Sequence, residues 1–579
     1  MKKLQQFKVY AFTYERLALA KFKVNTNPFE AELRGEVVSL GDNECLRAIR
    51  RIRNREFVPE ELQALLDEKM WITRQGNSAE NKNRIKEINN AVRDMLFVPE
   101  IISVHTPKKR NYTKIGRDGF FVNGVHYIRL MCSAAMARTN RALFCAEDIY
   151  EPLDEILRCG SKQIKIVPAK WNAYYSLMSS ATHIVSFPRV CVVKDYEIKL
   201  PKKVDWVTDN EIEDTISYEE KELPFNIWDG MGLISPEQSK KWSTELGYDG
   251  LAECFIVRAP FIKGLVATFD FHKFAREIAN NDIIKDIYGN EYNCDNIDVI
   301  LTESQFKLWG AYDSIESHQE HMKRYGLSWG VSRIGAPDGK KILKTNYQFL
   351  QVLNLKDDDI KELCSDTVKW IESLYNDNIE YKLLYLMGRL AQRNCVESFN
   401  SIHDSAVKAL LIEPRLMGDS YISDKIIGSI RKKINEALIG KIMVKGNFYF
   451  VVCDPYALCE YIFGLKPKGL LKEFEHYAYA WSIQGKDTIA AMRSPLTWRA
   501  EVNKLNLKFT DDMKEWYKYI PHCIVYNMWG LDRETHSSMD FDGDIVATTD
   551  NGTLLSGRYG GQPVLYKSQK AEKEIIENS

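Results

Sequence analysis

Residues Ser537 to Thr548 read S-S-M-D-F-D-G-D-I-V-A-T, so Asp540, Asp542 and Asp544 stand at alternate positions directly ahead of a β-branched run. In an extended chain alternate residues face the same way, which puts Asp540 and Asp542 on one side. Gly543 permits a sharp turn that brings Asp544 round to the same point. Two carboxylates about 4 Å apart repel by roughly 4 kcal/mol at an effective dielectric of about 20. Three of them ahead of a strand that reads as buried require a cation or full solvation. An oxygen-only ligand set selects a hard ion, magnesium or manganese before zinc. A calcium EF-hand loop is excluded, because the positions that need glycine and glutamate are Ile545 and Asn551. Spacing alone leaves a magnesium site and a solvated acidic turn both standing, and the reaction open.

Anionic partners must be gripped locally, since 79 basic residues against 80 acidic ones leave a net charge of -1. Two basic clusters stand out upstream. One holds Arg47, Arg50, Arg51, Arg53 and Arg55 on a short helical piece; the other is P-K-K-R-N-Y-T-K at Pro107 to Lys114. Each reads either as a solvated face or as a contact for nucleic-acid phosphates. The twelve cysteines form no C-x-x-C pair and no zinc-type spacing with histidine, which reads as reduced core thiols in the cytoplasm. The first residues lack an uninterrupted apolar region, and the run Phe448 to Cys453 is too short to span a bilayer, so no membrane is expected.

A chain of 579 residues suggests about four structural units at roughly 150 residues each. The texture expects an α+β protein with a mixed α/β N-terminal region at 1–220 and a β-rich block at 221–350. A helical connector at 351–438, a second β-rich block at 439–565 and a charged tail at 566–579 follow. In the connector, Asp357 to Asp359 suit a helix N-terminus, and Ile360, Leu363, Cys364, Val368, Ile371 and Leu374 fall on one helical face. Ile426, Ile427, Ile430, Ile434 and Leu438 repeat that pattern further on. No internal sequence repeat is visible. His318 and His321 in H-Q-E-H lie in a helix that reads as exposed and lack HExxH spacing, so they are not expected to bind metal.

Magnesium chemistry on phosphates needs cationic partners. Arg258 and Lys263 stand in R-A-P-F-I-K-G, Lys307 in S-Q-F-K and Arg493 in M-R-S-P, each at the end of a strand-like run. Taken singly, each is most simply a solvated strand terminus.

Taken in order, these elements resemble the two-barrel RNA polymerase superfamily, which includes multisubunit polymerases, RNA-silencing RNA-dependent enzymes and single-chain phage enzymes of the YonO type. D-F-D-G-D resembles the superfamily's metal-binding signature, and M-R-S-P-L-T-W-R its R-x-P element. W-D-G-M-G-L-I-S at Trp228 to Ser235 is similar to the entry of the first barrel, and K-W-N-A-Y-Y-S-L-M-S-S at Lys170 to Ser180 to the segment before it. The resemblance covers roughly residues 165–560. It implies two double-psi β-barrels facing one another across an active site.

By that resemblance, Asp540, Asp542 and Asp544 hold catalytic Mg2+, with Mn2+ as a substitute. Lys263 and Lys307 reach nucleotide or RNA phosphates, Arg258 supports them, and Arg493 contacts the incoming nucleotide or the RNA end. The implied reaction is two-metal transfer from nucleoside triphosphates to an RNA 3′ end. A DNA template of phage or prophage type is favoured over RNA, and the expected compartment is then the host cytoplasm. Two departures stand out: Trp498 occupies a position where many relatives carry histidine, and only 35 residues follow Asp544. The second raises the expectation of a partner chain supplying a further helical region, or of a nucleic-acid-binding subunit incomplete on its own.

Overall fold

Six short apolar runs between residues 190 and 335 form one mixed sheet: β1 (Val190–Val193), β2 (Met231–Ile234), β3 (Cys254–Ala259), β4 (Ile262–Thr268), β5 (Val299–Thr302) and β6 (Trp329–Gly335). Six more form a second unit: β7 (Asn447–Cys453), β8 (Glu475–Tyr477), β9 (Thr488–Met492), β10 (Val502–Leu507), β11 (Cys523–Tyr526) and β12 (Ile545–Thr549). The computed structural model describes residues 2–76, 78–209, 214–336, 342–375, 379–386, 404–566 and 574–575.

The two units share one topology. The neighbour order is β1-β5-β2-β4-β3-β6 in the first and β7-β11-β8-β10-β9-β12 in the second. Corresponding pairs also run in the same sense: the first and fifth strands are parallel, as are the second and fourth, and the other shared pairs are antiparallel. β12 returns to β7 and closes the second unit into a barrel. In the first, the strand His183–Val185 adds to the outer edge of β6. An arginine, one residue and a proline end the third strand of both units, as Arg258-Ala259-Pro260 and Arg493-Ser494-Pro495. The sequence hid this duplication because burial constrains strand residues to be apolar without fixing which apolar residue is used.

The expected boundary at 221 falls inside the first unit, since β1 and His183–Val185 come from upstream. A four-residue apolar run cannot be assigned by pattern alone. A seven-stranded sheet built from Gln6–Thr13 to Arg141–Ala146 forms the N-terminal region. Its core is continuous with one side of the first unit through Phe7, Ile102, Phe144, Trp242, Phe261 and Trp329. A second core joins the two β-units through Leu265, Ile300, Val451, Ile524 and Phe541.

Four arginines of the first basic cluster are held by acidic or aromatic groups of the protein, the innermost being Arg47. Arg47 is 6% exposed and pairs with Asp42 at 2.9 Å and Glu44 at 2.6 Å. Arg50 lies 4.1 Å over the Phe7 ring, Arg53 pairs with Asp148 at 2.7 Å, and Arg55 contacts Glu100. In the second cluster, Lys114 sits 4.7 Å over the Phe22 ring.

The connector helices Asp357–Tyr375 and Ser420–Leu438 form where the periodicity places them, but their faces are narrower. Leu363, Thr367 and Leu374 are buried on the first, while Ile360 and Val368 are each 48% exposed. The second buries Ile422, Ile426 and Ile430 and exposes Ile427 and Leu438. Part of the expected charged tail is a strand, Glu574–Ile575, paired with Lys165–Ile166; most of the remainder lies outside the described residues. All eleven cysteines among the described residues are free thiols. No helix among those residues is long and apolar enough to cross a membrane.

Candidate active site

Two lysines are set by one β-bridge. Ile262 pairs with Phe306, the Lys263 amide donates to the Gln305 carbonyl at 3.0 Å, and the Lys307 amide donates to the Phe261 carbonyl at 2.9 Å. Because alternate side chains oppose one another, burying Ile262 and Phe306 turns Lys263 and Lys307 to the other face. Gln305 is wholly buried beneath them; its Nε2 donates to Leu265 O at 2.9 Å and its Oε1 accepts from Thr302 N at 3.0 Å.

The aspartates occupy the loop entering β12. Met539 and Phe541 are buried, so the acidic residues between and after them are turned out of the core. The chain turns earlier than expected. Asp542 N donates to Asp540 Oδ1 at 3.4 Å and Asp540 N to Asp544 Oδ2 at 3.2 Å, and Gly543 has φ +128°. Side-chain acceptors compete with strand pairing in such a turn. The loop docks on the first unit: Phe541 N donates to Asp229 O at 3.0 Å. A Cβ on Gly230 would come within 2.5 Å of Asp542 Cβ, which explains the glycine in W-D-G-M-G.

Ahead of the aspartates, Ser537 and Ser538 are both left-handed, at φ 55° and 53°. Such backbone persists only where its surroundings over-determine it. Arg493 Nη1 donates to His536 O and Ser537 O at 3.1 Å each, and Ser537 Oγ donates to Glu501 Oε1 at 2.8 Å.

Charge pairing runs between the units at Lys263 and within the second unit at Arg493. The Lys263 ammonium contacts the Asp542 carboxylate, and Arg493 Nε lies 2.8 Å from Asp544 Oδ2. Burial and the Asp542 and Asp544 charges push the Asp540 carboxyl up to about 7. Burial also works against ionised Asp542, but the Lys263 ammonium outweighs it and holds that carboxyl below its ordinary value. Burial lowers Lys307, against the opposing pull of Asp229, Asp542 and Asp540. It lowers Arg258 too, against Asp542, and Arg258 Nε has no hydrogen-bond partner among the described residues.

The seven residues singled out in the sequence therefore meet where the loop of the second unit faces the first. The donor set fits a hard divalent ion: three carboxylates within five residues, one of them pushed up by burial and by its neighbours' charges, a conflict that a dication relieves. Asp542 and Asp544 are paired with cations of the protein, and no three acidic, histidine or cysteine side chains among the described residues already converge as metal ligands.

Sequence reasoning missed four residues here: Asp229, quoted in a motif but given no role, and Gln305, Glu501 and Arg533. A buried polar residue that fixes a neighbour carries no spacing signature. It also misplaced His318, which is fully buried in the helix Ile315–Arg324 and donates from Nε2 to Pro260 O at 2.9 Å. That bond ties the helix to the turn between Arg258 and Lys263.

The chain belongs to the RNA dependent RNA polymerase family, whose sequence model matches residues 73–575. It is similar to the DNA-directed RNA polymerase YonO of Bacillus phage SPbeta, at 30% identity over 432 residues, covering 72% of this chain and 48% of that protein. Among solved structures it resembles the RNA dependent RNA polymerase QDE-1 from Thielavia terrestris, with a TM-score of 0.53 and 14% identity, over 80% of this chain and 50% of that one. The chain thus spans about half the length of these relatives. The shared fold agrees with the two-barrel resemblance carried by the motifs.

Proposed function

We propose that this chain is an RNA polymerase that transfers nucleotidyl groups from nucleoside triphosphates to an RNA 3′ end on a DNA template, as a phage or prophage enzyme in a host cytoplasm. The observation that carries the reading is Lys263 of one β-unit in contact with Asp542 of the other, with Lys307 beside them. Asp540, Asp542 and Asp544 would hold Mg2+ or Mn2+; bound there, the ion supplies acidification of the 3′-hydroxyl and charge neutralisation at the phosphates. Lys263, released from Asp542, turns to phosphate oxygens, and Lys307 adds a second cation from the same face. Arg258 adds buried positive charge beside Asp542. Arg493 holds the loop that carries the aspartates and presents its guanidinium to the incoming nucleotide or the RNA end.

Two observations point at different templates. The phage relative is named as DNA-directed, whereas the family and the structural relative are named as RNA-dependent. The 30% identity to the DNA-directed enzyme favours DNA, because the structural likeness at 14% identity speaks for the fold alone. The test is extension with labelled nucleoside triphosphates and Mg2+ on DNA and on RNA templates, beside Asp542→Asn. Product on DNA that disappears in the variant supports the reading, and product on RNA alone replaces it with the RNA-directed one. No product on either, with Mn2+ binding intact, supports a nucleic-acid-binding subunit that needs a partner chain.

A further inference from the structure

Arg533 lies outside every motif read from the sequence, yet it joins three separate pieces of the site. Its Nε donates to Met539 O at 2.9 Å, at the root of the aspartate loop. Its Nη1 donates to Asn226 O and its Nη2 to Asp229 Oδ2 at 3.2 Å, both on the segment that leads into β2 of the first unit. Its own carbonyl accepts from His536 N at 3.2 Å and Met539 N at 3.0 Å, closing a ring around the left-handed pair Ser537-Ser538. The guanidinium also lies 5.9 Å from the ring of Phe541, the buried residue between Asp540 and Asp542.

We propose that Arg533 is a positioning residue: it registers the aspartate loop against Asp229 of the opposite β-unit, and so sets how tightly that loop takes a divalent cation. The inference rests on the polymerase reading only in assigning a cation to the loop. Arg493 holds the loop from its own barrel, through His536 O, Ser537 O and Asp544. Arg533 holds it from the other side, across the junction. Its planar fork meets three acceptors from three separate nitrogens, whereas an ammonium group must donate from a single one. A role confined to gluing the units together would be shared by other junction contacts. One of these is Glu253, whose Oε2 accepts from His522 N at 2.7 Å and whose Oε1 lies 2.6 Å from His522 Nδ1.

The experiment is a titration of the full chain with Mn2+, following free Mn2+ by electron paramagnetic resonance, for the native protein, Arg533→Ala, Arg533→Lys and Glu253→Gln. Removing a residue that orients metal ligands weakens binding by about 10- to 100-fold, so Arg533→Ala should show a loss of that size. Arg533→Lys should recover little of it, added methylguanidinium should restore part of it to Arg533→Ala, and Glu253→Gln should bind as the native chain does. The proposal falls if both Arg533 variants bind Mn2+ within about twofold of native, since an orienting residue moves affinity by far more. It falls also if Glu253→Gln weakens binding as much, or if the native chain binds no Mn2+. Should Arg533→Ala fail to fold, Arg533→Lys decides. The titration requires no turnover. A native chain that binds Mn2+ but does not extend RNA ends the polymerase reading and leaves this inference to its variants. A native chain that extends RNA while the Arg533 variants bind as native does the reverse.

Discussion

Gly230→Ala isolates the contact on which the junction depends. Gly230 has φ +79°, and a Cβ there would lie 2.5 Å from Asp542 Cβ and 3.1 Å from both its Cα and its backbone nitrogen. A left-handed alanine costs roughly 1–2 kcal/mol. Overlap with backbone that cannot swing aside forces the loop to shift, at about 1–3 kcal/mol more. Together these weaken the docked loop by about 2–5 kcal/mol, or roughly 30-fold to several thousandfold in its opening equilibrium. The readout is amide hydrogen exchange at Phe541, whose N–H is bonded to Asp229 O across the junction. Gly289→Ala is the control, because Gly289 has φ +96° and nothing within 4 Å of the added carbon, so it carries only the first cost. Phe541 protection should collapse in Gly230→Ala and persist in Gly289→Ala, with Mn2+ affinity following it. Equal protection in the two variants would refute the reasoning.

Three further outcomes follow from buried groups. Burial holds His318 down at about 3 in the fold, against an ordinary value of 6.5. The unfolded chain therefore takes up the proton first: the stabilisation from neutral His318 is complete above pH 6.5 and is lost as pH falls toward about 3, reaching about 2 kcal/mol lost at pH 5. His318→Gln should flatten the decline of the urea midpoint between pH 7 and pH 5 (about one proton's worth), and an unchanged slope would count against it. Gln305→Leu strips Leu265 O and Thr302 N of their partner, at about 1–3 kcal/mol for each group, and should lower both the unfolding midpoint and RNA extension. Asp542→Asn should abolish extension and weaken Mn2+ binding while leaving the unfolding midpoint within about 1 kcal/mol of native, because Lys263 loses an ion pair that is partly exposed.

The sequence by itself determined which candidate groups are present. Three carboxylates in five residues, followed by a β-branched strand, narrow that stretch to a hard-cation site or a solvated acidic turn, and Arg258, Lys263, Lys307 and Arg493 become candidate partner cations only when taken together in order. Helix content was legible as well, because a 3.6-residue period shows in one segment alone, as in Asp357–Tyr375. Which side of that helix is buried was not legible: Ile360 and Val368 fit the pattern but stay exposed, since the partner surface decides the face. Nor was the fate of Arg53 and Arg55, which depends on Glu100 and Asp148 arriving from other elements. Only the tertiary structure set two units of the same topology against one another, so that Gly230 makes room for Asp542, Lys263 reaches it and Arg533 spans the gap. Those contacts join residues some three hundred positions apart, as Asp229 and Arg533 do. Local spacing fixes only what neighbours in the chain can do together; bringing distant residues together takes the closed backbone pairing of the barrel and the apolar core shared by both units.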